Sequence, residues 1–240
     1  GAELKNLSDD FSLLAIQGPK AAEAMQSLTS EDLSAIPFYH FRVADFAGIE
    51  HVMISATGYT GSGGFEIYCK NSEVEQVWKK VMEAGASYGI KPIGLAARDT
   101  LRLEMGYCLY GHDIDATTSP LEADLGWVMG KMTNTGFIGA DVVLKQKEEG
   151  ITRKRVGIEL LDKGVAREGA EVQLEDGSII GTLCSGGFSP TLDCSIGQAY
   201  LPIKHSELGT SVYVNVRGRK LEAIISDMPF VEPKTKSNKI

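Results

Sequence analysis

Residues 58 to 69, GYTGSGGFEIYC, followed from 72 by SEVEQVWKKVMEAGASYG, decide the fold class. A glycine-rich, turn-forming segment leads into an apolar strand, FEIYC, and then into a helix pattern. Ser72 is placed to cap that helix, and Val74, Val77, Trp78, Val81 and Met82 fall on one face. The glycines suggest a phosphate-binding loop. However, the segment lacks the Lys-Ser/Thr of such a loop and enters a strand rather than a helix N-terminus, so a hairpin connection fits better. Its unusual member is Glu66, a carboxylate set directly after Phe65 at the start of the strand. An acid there needs partners to offset its desolvation. It is either a strand acid held in an ion pair or an acid placed to grip a ligand.

Working outward, FSLLAIQ at 11 to 17 reads as a strand, broken by Gly18-Pro19 before the helix-like AAEAMQSL. Residues 38–46 and 49–56 alternate in polarity around Gly48, as an antiparallel hairpin would. Strand, helix, strands, helix is the order of an α+β layer of ferredoxin-like type. Residues 93–105 then form an amphipathic helix, with Leu95, Leu101, Leu103 and Met105 apolar and Arg98, Asp99, Arg102 and Glu104 polar, ending near Gly106. Residues 107–136 are rich in Gly, Thr and Asp around the island LGWVMG, and 139–149 reads as a further helix. Beyond a boundary near 150, RVGIELL, EVQLEDGSIIGTLCSG, SIGQAYL, SVYVNV and KLEAIISDM are short strands between Gly, Asp and Pro. They make an all-β sandwich or barrel, ending in a frayed EPKTKSNKI.

Arg98 follows GLAA, a small-residue approach that lets the helix sit close to a backbone or a ligand. The default for Arg98 and Arg102 is an ordinary pairing with Asp99, Glu104 or neighbouring acids on a wet helix face, and the small-residue approach tips Arg98 toward a ligand. Tyr107, Tyr110, His112 and Asp113 follow in a loop, where binding residues concentrate, although the tyrosines are just as readily packing residues.

Composition narrows the partners. Lys and Arg number 24 against 32 Asp and Glu, and the net charge of −8 disfavours a nucleic-acid surface. The one basic run, Arg153-Lys154-Arg155, reads as a solvated strand edge. No apolar run is long enough to cross a membrane, and GAELKNLSDD lacks the features of a signal peptide. Cys69, Cys108, Cys184 and Cys194 form no CxxC pair and have no histidine cluster nearby. They read as reduced thiols of a cytoplasmic protein with no metal site. No nucleophile elbow or paired-carboxylate arrangement is present.

Several longer strings carry a resemblance in their order and spacing: LLAIQGPKA at 13–21, TGYTGSGGFEIY, LAARDTLRLEMGYCLYGHDI, TSPLEADLGWVMGK at 118–131, FIGAD at 137–141, GVAREG at 164–169 and TLCSGGFSPTLDCSIGQAYL at 182–201. Together they resemble the T-protein family of the glycine cleavage system, the tetrahydrofolate-dependent aminomethyltransferases, over essentially the whole chain. The resemblance implies transfer of the aminomethyl carbon from the dihydrolipoyl arm of the H-protein to tetrahydrofolate, with release of ammonia. It implies Glu66 as the pterin anchor, Arg98 as a contact to the carboxylate-bearing tail, Tyr59 and Tyr39 as flat walls, and Trp127 as a further cofactor-binding candidate.

The fold expected is therefore α+β: incomplete ferredoxin-like folate-binding layers at 1–150, followed by an all-β barrel at 151–240. The resemblance implies a long segment ahead of the LLAIQGP strand that holds the catalytic aspartate and several folate contacts. No catalytic residue is therefore assigned to Asp9, Asp10 or Asp99, and this portion by itself is expected to be inactive. Two other readings follow from the same residues: a folate-binding domain of a dimethylglycine- or sarcosine-oxidising enzyme, and a non-catalytic portion that only binds a protein partner.

Overall fold

The computed structural model describes residues 2–129 and 136–235; the end of the 125–130 island and the last residues of the expected frayed tail lie outside them. The chain divides into two compact units, residues 1–98 with 233–240, and residues 99–232.

The first unit is built on one antiparallel sheet. Strand β1 is Phe11–Gln17, β2 is Phe41–Phe46, β3 is Ile49–Ser55 and β4 is Gly64–Lys70, arranged in the order β1-β4-β3-β2. The β2–β3 hairpin turns through Ala47-Gly48 as the alternating pattern predicts, with Phe46 paired to Ile49. Residues 56–63 connect β3 to β4, which pair through Met53–Tyr68, Ile54–Ile67 and Ser55–Glu66. The glycine-rich segment is therefore a hairpin connection.

Side chains alternate across a pleated sheet. Ile16, Val52, Ile54, Phe65, Ile67 and Cys69 turn to one face, where Met25 of helix α1 (Ala21–Met25) and Val77 and Val81 of helix α2 (Val74–Gly85) close a core with Leu33 and Phe46. Two details of the expected α2 differ. Its N-cap is Glu73, with no side-chain capping bond, because the Glu73 carboxylate instead accepts from the Lys70 N–H at 3.0 Å. Trp78 is half exposed rather than in the core, since the buried stripe is the narrower Val77, Val81 and Gly85. The other sheet face is open. Its cross-strand rows are Ala15, Glu66 and Ser55, and Leu13, Tyr68, Met53 and Val43. Leu13, Met53 and Val43 are exposed there, as is Phe41, the β2 partner of Ser55.

Helix α3 (Leu95–Glu104) contains the division between the units. In the second unit α4 (Ala140–Glu149) lies between Gly139 and Gly150, as the punctuation predicts. Strands β5 (Arg153–Leu160), β6 (Glu171–Gln173), β7 (Ile179–Ser189), β8 (Cys194–Pro202), β9 (Ser211–Val216) and β10 (Arg219–Ser226) close into a six-stranded antiparallel barrel in the order β10-β5-β8-β7-β6-β9. The barrel interior is filled by aliphatic side chains, among them Val156, Ile158, Leu183, Leu201, Val214 and Ile225. Closure removes the free strand edges of a sandwich, so the barrel is what the short strands form.

The basic run does not lie on a wet edge. Arg155 is buried and donates to the carbonyls of Ala123 and Gly106, each at 2.8 Å, and to the Gln198 side chain. Two loop carbonyls and the Gln198 amide oxygen of β8 converge where β5 enters the barrel, and a guanidinium satisfies all of them at once. Arg153 pairs with Glu122 at 2.8 Å. Glu122 in turn forms a reciprocal pair with Ser119, accepting from the Ser119 N–H at 3.0 Å while the Ser119 hydroxyl accepts from the Glu122 N–H at 3.1 Å. No helix among the described residues is long and apolar enough to cross a membrane.

Two outcomes follow. Ile67→Ala removes a fully buried strand side chain and is expected to cost about 2 to 5 kcal/mol in urea unfolding. Burial raises the Glu122 carboxyl, but the Ser119 N–H and Arg153 outweigh it and hold the group below its ordinary value. Its contribution to stability is therefore complete above the unfolded carboxylate value and lost as pH falls through the lower folded one. Melting temperature against pH should show an acid-side loss that Glu122→Gln diminishes.

Candidate functional site

β4 projects Glu66 onto the open sheet face, half-buried, one row from Tyr68. The connection that precedes it folds back over this face. The Thr57 hydroxyl lies 2.5 Å from Glu66 Oε2 and 3.0 Å from the Ser55 hydroxyl. Two residues further along the same connection, the ring of Tyr59 lies under the Arg98 guanidinium, 4.5 Å from carbon to centroid. An acid and a forked cation thus contact one short loop, at Thr57 and Tyr59, and an aromatic ring is a favoured neighbour of a weakly hydrated guanidinium. Burial, and then the charge on Glu66, push the Tyr68 phenol above its ordinary value.

The loop is held from below by Gln17, at the end of β1 on the same face as Glu66. Its amide nitrogen donates to the carbonyls of Thr57 at 3.1 Å and Phe65 at 3.2 Å, and its oxygen accepts from the Thr60 hydroxyl at 2.9 Å. This grip requires bare backbone. A Cβ on Gly58 would lie 1.9 Å from Gln17 Oε1, and one on Gly64 would lie 2.3 Å from the Ile16 carbonyl oxygen. The glycines that mimic a phosphate loop thus serve close approach.

Tyr39 has φ of 65° and its ring tilts against Phe38 at 4.2 Å. Its N–H donates to the Ala56 carbonyl at 3.0 Å, which places it one residue from Thr57. Phe38 lines a small hollow with Gln17, Thr57, Gly58, Gly61 and Gly63. A larger hollow of about 440 Å³, lined by Asp10, Phe11, Lys70, Asn71 and Ser72, lies at the opposite end of the β1–β4 pair and includes none of the candidates. Trp127 belongs to the second unit, on a turn at Gly126–Met129, and is exposed. The structure thus brings Glu66, Tyr59, Arg98 and Tyr39 to one loop of the first unit.

Sequence reasoning missed Thr57 and Gln17, whose signal was only their place beside a glycine-rich turn. It also misread α3. Arg102 and Glu104, expected on a wet face, are buried in the second unit. Arg102 pairs with Asp113 at 2.7 Å and with Asp99 at 2.8 Å, and Glu104 accepts from the Ser189 hydroxyl at 2.6 Å and the Thr191 hydroxyl at 3.0 Å. Asp113 also accepts from the Leu109 N–H and the Ser185 hydroxyl, each at 2.9 Å. A buried carboxylate with this many donors is an anchor of the fold. Burial, and then Asp113, push the Cys184 thiol far above its ordinary value, and the four cysteines are free thiols. No cluster of metal ligands occurs among the described residues.

Comparison with known proteins follows the same lines. Residues 1–133 match the family model described as GCVT N-terminal domain, and residues 153–232 match the glycine cleavage T-protein C-terminal barrel domain. The chain belongs to the glycine cleavage T-protein family. Among curated relatives, an aminomethyltransferase of Bacteroides thetaiotaomicron is 53% identical over 96% of this chain, and one of Flavobacterium psychrophilum is 52% identical over the same share. The chain spans 64% and 63% of those relatives' lengths. A crystal structure of the glycine cleavage system aminomethyltransferase T from Bartonella henselae superposes with a TM-score of 0.85 at 34% identity, over 94% of this chain and 61% of that one. The barrel of this family is the closed β5–β10 sheet described above.

Asp113→Ala should strand the Arg102 guanidinium in a buried site. The expected loss is about 3 to 5 kcal/mol in chemical unfolding, whereas an exposed acid such as Asp141 should change by less than about 0.5 kcal/mol.

Proposed function

We propose that this chain carries the folate-binding site of a tetrahydrofolate-dependent aminomethyltransferase. In that reaction the aminomethyl carbon passes from the sulfur of a dihydrolipoyl arm, borne by the H-protein, to a nitrogen of tetrahydrofolate, and ammonia leaves. The observation that carries the reading is the loop from Thr57 to Tyr59, which contacts Glu66 through Thr57 and Arg98 through Tyr59.

The chemistry of the two groups suits opposite ends of the ligand. A reduced pterin presents a ring N–H and an exocyclic amine side by side, and a carboxylate accepts both in a charge-assisted pair. With one Glu66 oxygen engaged by Thr57, the other oxygen and the remaining lone pairs are available for that edge. The folate tail ends in carboxylates, which match the planar fork of Arg98, and Tyr59 stiffens that fork by lying under it. Tyr59 and Tyr39 provide flat apolar walls beside the pterin. Assigned roles are therefore binding and orientation, which convert a bimolecular transfer into a positioned one. Four free cysteines suit a reducing compartment, the cytoplasm.

Family membership supports this reading, as do curated relatives named aminomethyltransferase. Titration of the chain with tetrahydrofolate, followed by calorimetry or by tyrosine and tryptophan fluorescence, should give saturable binding. Glu66→Gln should weaken it by about 10- to 100-fold, the effect of one charge-assisted pair. Arg98→Met should weaken tetrahydrofolate by about tenfold while leaving a folate analogue without the glutamyl tail unchanged. Absence of saturable binding by the unaltered chain would refute the assignment.

A further inference from the structure

We infer that Thr57 is a positioning residue for the ligand of Glu66: it holds the carboxylate in one orientation and thereby selects a ligand with two adjacent N–H donors. The inference rests on the folate-site reading above and deepens it.

A threonine hydroxyl has one proton to give. Thr57 Oγ1 has two oxygen neighbours, Glu66 Oε2 at 2.5 Å and Ser55 Oγ at 3.0 Å. The nearer one belongs to a carboxylate, and a charge-assisted bond is the stronger, so Thr57 donates to Glu66 and accepts from Ser55. Ser55 stands directly opposite Glu66 in the β3–β4 register, so the relay from Ser55 through Thr57 to Glu66 closes across one cross-strand pair. The relay fixes the rotation of the carboxylate, which a half-buried glutamate otherwise retains.

Thr57 is itself held. Gln17 donates to the Thr57 carbonyl and to the carbonyl of Phe65, the residue before Glu66. A single amide group therefore ties both the residue that orients and the strand that carries the oriented acid. The bare Gly58 lets Gln17 approach this closely. Nothing in this arrangement is required merely to close a hairpin, since the β3–β4 ladder already does so. What it adds is a carboxylate whose free edge is preset before the ligand arrives, and presetting a rotamer removes an ordering cost from binding.

The test uses the full chain and two probes, tetrahydrofolate and p-aminobenzoylglutamate, which has the tail and no pterin. Thr57→Val keeps the shape and removes the hydroxyl; Thr57→Ser keeps the hydroxyl. Expected results are an approximately tenfold rise in the tetrahydrofolate Kd for Thr57→Val, less than about twofold for Thr57→Ser, and no change for p-aminobenzoylglutamate with either. Thermal melting identifies a Thr57→Val protein that does not fold, in which case Thr57→Ala is read in its place with the same expectation. Unaltered tetrahydrofolate affinity in the hydroxyl-free variant, failure of serine to restore it, or an equal loss for p-aminobenzoylglutamate would each overturn the inference while leaving the folate site standing. An unaltered chain that does not bind tetrahydrofolate removes the folate reading and this one with it.

Discussion

The amide of Gln17 is the point on which the first unit's site depends. It satisfies two carbonyls and a hydroxyl belonging to one loop and the strand that follows, and it does so from the last residue of an edge strand. A loop of eight residues over a sheet face would ordinarily be mobile and solvent-bonded. Tied in this way, it becomes a platform: Thr57 bonds Glu66 and the Tyr59 ring meets Arg98. The sheet contributes by the same economy. One face packs the aliphatic core under α1 and α2, and the other presents Gln17, Ser55 and Glu66 beside exposed apolar side chains.

The second unit resolves a different problem with similar means. Two arginines, Arg102 and Arg155, are buried in it, and neither faces an apolar wall alone. Arg102 has Asp113 and Asp99; Arg155 has two carbonyls and the Gln198 amide. Their desolvation is offset by these carboxylates, carbonyls and the amide oxygen, which is why removing any one partner is expected to cost more than the pair contributes. Cys184 sits beside the same carboxylate, and its thiol is held in the neutral form.

Several elements were legible in the sequence because their signals are local. The hairpin at Gly48, the FEIYC strand, the helix between Gly139 and Gly150 and the six barrel strands follow from alternation, turn residues and caps within a few positions. Glu66 and Arg98 stood out as site candidates because each is a charge in a setting that favours neither solvent nor core. The misreadings come from residue type. Ser72 as a cap, Arg102 and Glu104 as a wet helix face and Arg155 as a solvated edge were assigned by residue type. For Ser72 the local Lys70 N–H bond to Glu73 decided the outcome, and for the others a partner farther along the chain did: Asp113 for Arg102, Ser189 for Glu104 and Gln198 for Arg155.

The sequence by itself determined which segments are strands and helices, that the chain is α+β followed by an all-β domain, and which charged residues are candidates for a ligand. Period, turn chemistry and composition are properties of neighbouring residues, so they can be read in one dimension. Only the tertiary structure decided that Gln17, Thr57 and Glu66 act as one unit, that Arg98 rests on Tyr59, and which arginines are buried. The first depends on pairing β1 with β4 across about fifty residues of chain, and the burial of Arg102 and Arg155 depends on partners such as Asp113 and Gln198 farther along the chain; no local pattern encodes which side chains such pairings bring within hydrogen-bond reach.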